Sequence, residues 1–525
     1  MAGSLNHMTT NRRTLIAGAT AAVAGAAGVA LIASRVLGGE GETPTATNVA
    51  AQLTSEPGSP VPATTSTAPT DTTTALRASN SAFQIDPGMA LVTSPRLPLF
   101  GVGSAHAQGL IDGSIASWLD AGSPIELAVE VLAIEGQAVV GSTPVDTFAN
   151  YDDLATALWS RPGGIALIAL DQVDFRVNVL AVDGIDPLRD VPSEADPLIR
   201  IGVVGDIVPG RNVANKMIEY NDFTHPFHRV AAELNSYDIT FANLEGNLSA
   251  TLEAPDDAHT FTFVADPAMT EGLKLAGIDA VSLANNHSRW NSEGWGDSAF
   301  IDTMDALNAA GVAFFGGGLD LSQARAPWVA TVGGRSVAIL GIDGVTANEE
   351  PRENFATVDQ SWFGASEYAG AGDGVAGTNP YFLDQVLSDI SDAAGQYDIV
   401  IPYFHFGVEY VGVLPQWAVD GARSAIDAGA SAVVTNHPHV IQGMEIYDGK
   451  PIVYSVGNFI FDQMFSVETR QGLILELDFR ENRVVGLRCR GVEIVDFNQP
   501  RLMTSGEHAS LMDRFWWSTD RLAER

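Results

Sequence analysis

Cysteine is almost absent, with Cys489 alone in a chain of 525 residues. One cysteine excludes an intramolecular disulfide, a Cys-based zinc site and a c-type haem. Lysine is nearly as scarce. Lys216, Lys274 and Lys450 are the only three among 28 basic residues, so nearly all positive charge is arginine. Against those 28 stand 64 Asp and Glu, a formal net charge of −36. Such a field repels phosphate backbones, which excludes nucleic acid and anionic lipid surfaces as partners held by charge alone. G-x-S-x-G, H-E-x-x-H, a Walker G-x-x-x-x-G-K-[ST] and a post-strand G-x-G-x-x-G are also missing. Serine hydrolases, zincins, P-loop NTPases and dinucleotide enzymes therefore have no foothold.

What is present divides the chain into stretches of different character. Arg12-Arg13 precedes 21 uncharged residues, Thr14 to Ser34, rich in Ala, Gly and Val. Residues 1–40 resemble a twin-arginine export signal, or else form a single membrane anchor; either places the bulk of the chain outside the cytoplasm. In 41–80, 11 Thr, 5 Pro and 4 Ser fill half of the positions, the composition of a flexible linker that cannot bury a core. Residues 81–197 carry short strand-like runs, Ile125–Leu132 and Gly164–Ala169 among them, and predict a small α/β accessory region. Leu110–Gly122 and Leu158–Leu170 weakly resemble one lobe of phosphate-type periplasmic binding proteins, and no second lobe follows. A chain beginning near residue 195 is accordingly expected to fold and keep any metal. Residues 498–525 read as a C-terminal helical tail.

Between 198 and 497 the sequence becomes rhythmic. Six apolar runs end in polar clusters: Gly205-Asp206, Asn243-Leu244-Glu245-Gly246, Asn285-Asn286-His287, His405 to Tyr410, Asn436-His437-Pro438-His439 and Gly457-Asn458. Buried runs alternating with helices predict an α/β sheet whose strand tips converge on one edge. Seven of the ten histidines fall in this stretch, four of them at strand tips. With Asp206, Glu245 and Asn286 they offer nitrogen and oxygen donors and no thiolate, a set suited to divalent Mn, Fe or Zn.

These six motifs, in this order over residues 198–497, resemble the CapA family of capsule-synthesis proteins, named for poly-γ-glutamate production, within the calcineurin-like metallophosphoesterases. The resemblance implies a four-layer α/β/β/α sandwich with a dinuclear metal site at one edge. It implies that Glu245 bridges two cations, that Asn286, His405 and His437 complete one, and that Asp206 and His439 hold the other. His287 resembles the histidine that protonates the leaving group, and Arg211 the cation that meets an anionic substrate. One position departs from the superfamily: Val208 stands where a histidine is common, leaving the second cation three protein donors.

Two cations roughly 3.5–4 Å apart activate water and neutralise charge on a transferring phosphoryl group. Two functions follow from different classes. One is an extracytoplasmic metal-dependent hydrolase acting on a phosphoester or an anionic polymer. The other is a non-catalytic assembly or export factor that grips an anionic capsule polymer. Membrane-bound capsule-synthesis proteins are the expected partners of either.

Overall fold

The computed structural model describes residues 85, 88–136, 146–191, 197–251, 263–289, 298–345 and 376–525. The export-signal reading of 1–40 and the linker reading of 41–80 lie outside the described residues. No helix among the described residues is long and apolar enough to cross a membrane.

The first lobe is a five-stranded sheet built from β1 (Met89–Thr93), β2 (Glu130–Ile134), β3 (Asp146–Phe148), β4 (Gly164–Ala169) and β5 (Asn178–Val179), in the order β3-β2-β4-β1-β5. Helices α1 (Ser104–Asp112) and α2 (Tyr151–Ser160) cover its two faces. Leu110 and Ile111 pack with Leu91 and Ile165 on one side, and Leu154 and Leu158 with Val92 and Ile168 on the other.

From residue 199 two further sheets face each other. Sheet one contains β6 (Ile199–Ile207), β7 (Ile239–Leu244), β8 (Ala280–Ser282) and β9 (Ala313–Phe315). Sheet two begins with β10 (Trp328–Val332) and β11 (Arg335–Asp343), then takes β12 (Ile399–His405), β13 (Val433–Asn436), β14 (Met444–Tyr447) and β15 (Lys450–Val453). The chain then returns to sheet one as β16 (Asn458–Ile460), β17 (Gln471–Arg480), β18 (Arg483–Val495) and β19 (Gln499–Leu502). The orders are β9-β8-β7-β6-β17-β18-β19, with β16 beside β6, and β10-β11-β12-β13-β15-β14.

Strand alternation explains the layering. Along β6, Ile201 and Val203 face sheet two while Val204 faces outward; along β12, Ile401 and Tyr403 face inward while Val400 and Phe404 face outward. Both faces are apolar, so each strand reads as a continuous hydrophobic run. Helices cover the outer faces. Val213 and Met217 of α3 (Arg211–Tyr220) and Phe300 and Met304 of α4 (Ser298–Ala310) lie on sheet one. On sheet two, Val386 and Ile390 belong to α5 (Leu383–Ala394), and Ala418 and Ala422 to α6 (Gln416–Asp427). This is the four-layer α/β/β/α sandwich.

Two readings of the chain's organisation change. Residues 80–525 form one compact unit. A division at 197/198 cuts through a buried ion network: Arg189 bonds Asp186 at 2.7 Å and Glu476 at 3.1 Å and also reaches Asp478, the last two on β17. Arg200 of β6 lies 2.7 Å from Glu476, and Arg488 of β18 lies 2.9 Å from Asp186. Burial alone would raise Glu476, but Arg189, Arg488 and Arg200 outweigh it and hold the carboxyl down at about 2. The lobe also lends Phe175 to the core between the sheets and borrows Val485 from β18. A chain starting near 195 would lose Arg189 and leave Glu476 and Asp478 with Arg200 at 2.7 and 3.9 Å, so it is expected to be less stable than the full chain. The C-terminal segment is not a tail either. Gln499–Leu502 is an edge strand, and α7 (Ser505–Ala523), opened by a Thr504–Glu507 capping box, buries Leu511 and Phe515 in the inter-sheet core.

Removing one partner of a buried ion cluster leaves charge uncompensated, at a cost of about 3–5 kcal/mol. Arg189→Ala is expected to lower unfolding stability by about that amount in a urea titration. Arg521→Ala, which breaks the exposed pair with Glu524, is expected to change it little. Equal midpoints for the two variants would contradict the welded lobe.

Candidate metal centre

The parallel order of neighbouring strands brings the six polar motifs together. In sheet one, Asp206 pairs in register with Asn243 on one side and Asn458 on the other. In sheet two, His405 lies beside Asn436, the residue before His437. Where β6 meets the turn before β16, a Cβ on Gly205 would stand 1.8 Å from the carbonyl oxygen of Gly457, so only glycine permits the approach.

Four donor atoms converge at one point. His405 Nε2 lies 3.0 Å from Asn286 Oδ1, 3.2 Å from His437 Nδ1 and 3.6 Å from Glu245 Oε1. A second group forms around His439, whose Nδ1 is 3.1 Å from Asp206 Oδ2 and whose Nε2 is 3.9 Å from Glu245 Oε1. Glu245 thus belongs to two clusters, one with His405 and His437 and one with Asp206 and His439, each with donor atoms within 4.8 Å of one another. Both sets coincide with the division that the family resemblance implied. His437 and His439 diverge because both take positive φ, 110° and 57°, around Pro438. Non-glycine residues held there cost about 1–3 kcal/mol each, strain that the surrounding packing has to sustain.

The electrostatics call for cations. Glu245 is fully buried, and neither carboxylate oxygen accepts a hydrogen bond. Burial and the neighbouring Asp206 push its carboxyl well above the usual range. Burial works to raise Asp206 as well, but the hydrogen bond and charge of His439 outweigh it and hold the group low. Burial brings His405 down to about 4, and burial with the adjacent His405 ring drives His437 well below its ordinary value. Both imidazoles are therefore neutral ligands at physiological pH. His439 is the exception. Burial opposes its charge, yet Glu245 and Asp206 push it up to about 9. In the metal-free protein the His439 imidazolium stands where a cation would sit. An orphaned carboxylate, neutral imidazoles and no thiolate fit divalent metal ions, held by these residues.

The remaining expected residues fall around this cluster. His287 is buried with Nε2 3.9 Å from Glu245 Oε1, and its ring meets Phe263 edge-on at 4.7 Å. Arg211 is placed differently from a substrate-facing cation: its guanidinium bonds Asp462 and lies over Phe263 and Phe461, 5.0 and 5.2 Å from their centroids. Those two rings touch His287 and His439 respectively. Arg211 is thus one aromatic layer away from the donor atoms. Val208, at the position where a histidine is common, is buried with Phe263, Phe461 and Ile494 and offers nothing to a metal.

Several asparagines carry roles that their spacing did not announce. Asn243 Nδ2 donates to Asp206 Oδ1 at 2.8 Å, and Asn285 Nδ2 donates to Asn243 Oδ1 at 3.0 Å, tying three strand tips together. Asn436 accepts from Gly457 N at 3.1 Å and donates to its carbonyl at 3.2 Å. Asn458 Oδ1 lies 2.9 Å from His439 Nδ1, beside the donor set left short by Val208. The available signal was an Asn at nearly every strand tip, with turn formation as the competing explanation.

The fold and the strand-tip donors define a four-layer α/β/β/α sandwich with a candidate metal centre at one edge. Residues 200–463 match the family model described as bacterial capsule synthesis protein PGA_cap. The chain belongs to that family, the CapA family linked to capsule and poly-γ-glutamate biosynthesis. It is 28% identical over 311 residues to the capsule biosynthesis protein CapA of Bacillus anthracis, covering 58% of this chain and 69% of that one. It is 27% identical over 292 residues to the PGA biosynthesis protein CapA of Bacillus subtilis (strain 168), covering 56% and 70%. Among solved structures, a hypothetical protein from Thermus thermophilus aligns at 16% identity and a TM-score of 0.35, covering 57% of this chain and 100% of that one.

Single-donor variants test this geometry. His437→Ala, taking a donor from the richer cluster, is expected to lose more bound metal and more thermal stability than His439→Ala, as read by metal analysis and melting. Wild-type metal content in both variants would remove the strand tips as the centre. In chelator, His439 adds stability that is fully present below its unfolded value near 6.5 and disappears as pH rises through about 9. The metal-free protein should therefore melt lower at pH 9 than at pH 6.5, and His439→Asn should reduce that difference. An undiminished difference would contradict the charged His439.

Proposed function

We propose that this chain is an extracytoplasmic, metal-dependent hydrolase of the phosphoesterase type, acting in capsule poly-γ-glutamate production. The observation that carries the reading is Glu245. Its two buried oxygens accept no hydrogen bond, and the carboxylate belongs to both donor groups, with Oε1 3.6 Å from His405 Nε2 and 3.9 Å from His439 Nε2, an arrangement suited to a carboxylate shared between two cations. Bound divalent metals would supply Lewis acidity and activate water.

The chain's own residues do the rest. Asn286, His405 and His437 fix one side of the centre, while Asp206 and His439 fix the other. His287, with Nε2 3.9 Å from Glu245 Oε1 and walled by Phe263, is placed to hand a proton to a departing oxygen. Arg211 and Asp462 hold Phe263 and Phe461 against His287 and His439, and so set the orientation of those two rings. The buried, aromatic surroundings exclude bulk water and strengthen each electrostatic interaction. Paired arginines ahead of an uncharged stretch support the placement outside the cytoplasm.

The test uses the full chain, stripped with chelator and reloaded with Mn²⁺, on an aryl phosphate and a phosphodiester. Turnover is expected only in the loaded protein. His287→Asn is expected to lower kcat by about 10²–10⁴-fold while metal content stays unchanged, the range typical of a lost general acid. Metal-loaded protein with no turnover on either substrate would sink the hydrolase and leave the non-catalytic assembly factor.

A further inference from the structure

Beside the metal centre a cavity of about 290 Å³ opens between the segment after His405, the segment after His439, the 465–469 turn and helix α7. Its walls are mainly apolar: Tyr410, Val440, Ile441, Phe465 and Trp517 line it. Three of these are strongly exposed for aromatics, with Tyr410 at 47%, Trp517 at 53% and Phe465 at 70%. Exposed aromatics gathered around one hollow mark a binding surface better than singly scattered ones do. The cavity adjoins the centre through Tyr410, whose ring lies 6.1 Å from the His439 ring and 5.6 Å from the Phe465 ring. Val440 and Ile441 directly follow His439.

One cation lines this cavity. Arg514, half-buried on α7, donates to Gln471 through Nη2, while its buried Nε has no hydrogen-bond partner. Among the described residues no carboxylate forms an ion pair with it, although Glu468 lines the same cavity. In a chain of net charge −36, a cation on the wall of a mainly apolar cavity is a local attraction for an anion. A guanidinium with donors to spare, next to aromatic walls, is suited to a planar anion carried on a short hydrocarbon stretch.

We propose that this cavity is a substrate subsite for a carboxylate-bearing unit of the polymer, one or more units along from the metal centre, with Arg514 as its specificity-determining cation and Tyr410, Phe465 and Trp517 as its walls. The inference rests on the hydrolase reading for the direction in which the polymer runs, but binding itself needs no turnover. It also lies partly beyond the family match, which covers residues 200–463.

The experiment is a titration of the full chain, kept in chelator, with short γ-linked glutamate oligomers, read by calorimetry and by tryptophan emission. Losing a hydrogen bond to a charged group weakens binding by about tenfold or more, so Arg514→Gln should raise Kd by at least that factor, and Arg514→Lys should restore part of it. Trp517→Ala should abolish the emission change and weaken binding. Should Arg514→Gln fail to fold, Arg514→Lys and Trp517→Ala carry the comparison. The γ-linked glutamine oligomer, of equal shape and no charge, should bind far more weakly. Equal affinity of the wild type and the Arg514 variants, or of the acid and amide oligomers, would overturn the subsite. Displacement of the oligomer by equimolar inorganic phosphate would overturn its assignment to carboxylates. Because the titration is run without metal, oligomer binding by a protein that, once reloaded, turns over neither the aryl phosphate nor the phosphodiester would remove the hydrolase and keep the subsite.

Discussion

A carboxylate buried without a hydrogen bond is the feature on which the rest of this molecule turns. Glu245 sits at the tip of β7 with both oxygens dry, next to a second buried carboxylate, Asp206. Left alone, two such charges repel each other and cost several kcal/mol in desolvation. In the metal-free protein the strain is met in two ways: Glu245 is driven toward its neutral form, and His439 toward its charged one. Divalent cations meet the same demand better, because they bring charge to the point where the oxygens already aim. The whole chain is strongly acidic, yet the site turns inward charge to local use rather than relying on a basic surface.

Holding those carboxylates in place requires backbone precision, and the sandwich supplies it. Strand tips from two sheets must arrive at one edge at the same height. Parallel neighbours in register bring Asp206, Asn243 and Asn458 abreast, and the contact of Gly205 with Gly457 closes sheet one on the turn that carries Asn458. Asparagine side chains then tie tip to tip. Positive φ at His437 and His439 is the cost of aiming two rings, separated by one residue, into two donor groups.

The same logic of compensated burial joins the first lobe to the sandwich. Glu476 and Asp478 lie on the central antiparallel strand of sheet one and take their counter-charge from Arg189, which precedes the sandwich. The C-terminal helix likewise completes the inter-sheet core with Leu511 and Phe515, and it brings Arg514 and Trp517 to the rim of the metal centre. Segments at both ends of the chain are thus held by the central sheets and shape what lies around the site.

Much of the centre was legible in the sequence because its chemistry is local. Apolar runs marked the strands, and the residues at or just past their ends include those the fold gathers at one edge: Asp206, Glu245, Asn286, His405, His437 and His439. A donor set with no thiolate follows from composition, and the division of donors into two clusters followed from the family resemblance. What spacing could not express was partnership across hundreds of residues. Nothing near Arg211 in the sequence reveals that Asp462 neutralises it, and nothing near Arg189 reveals Glu476 and Asp478. Asn458 and Asn243 stood in the strand-tip clusters without an assigned role until β6 brought them beside Asp206, and the helix from Ser505 looked like a tail until its apolar face met the inter-sheet core. Side-chain type is written residue by residue; which charge is buried, and what neutralises it, depends on long-range packing that only the folded chain decides.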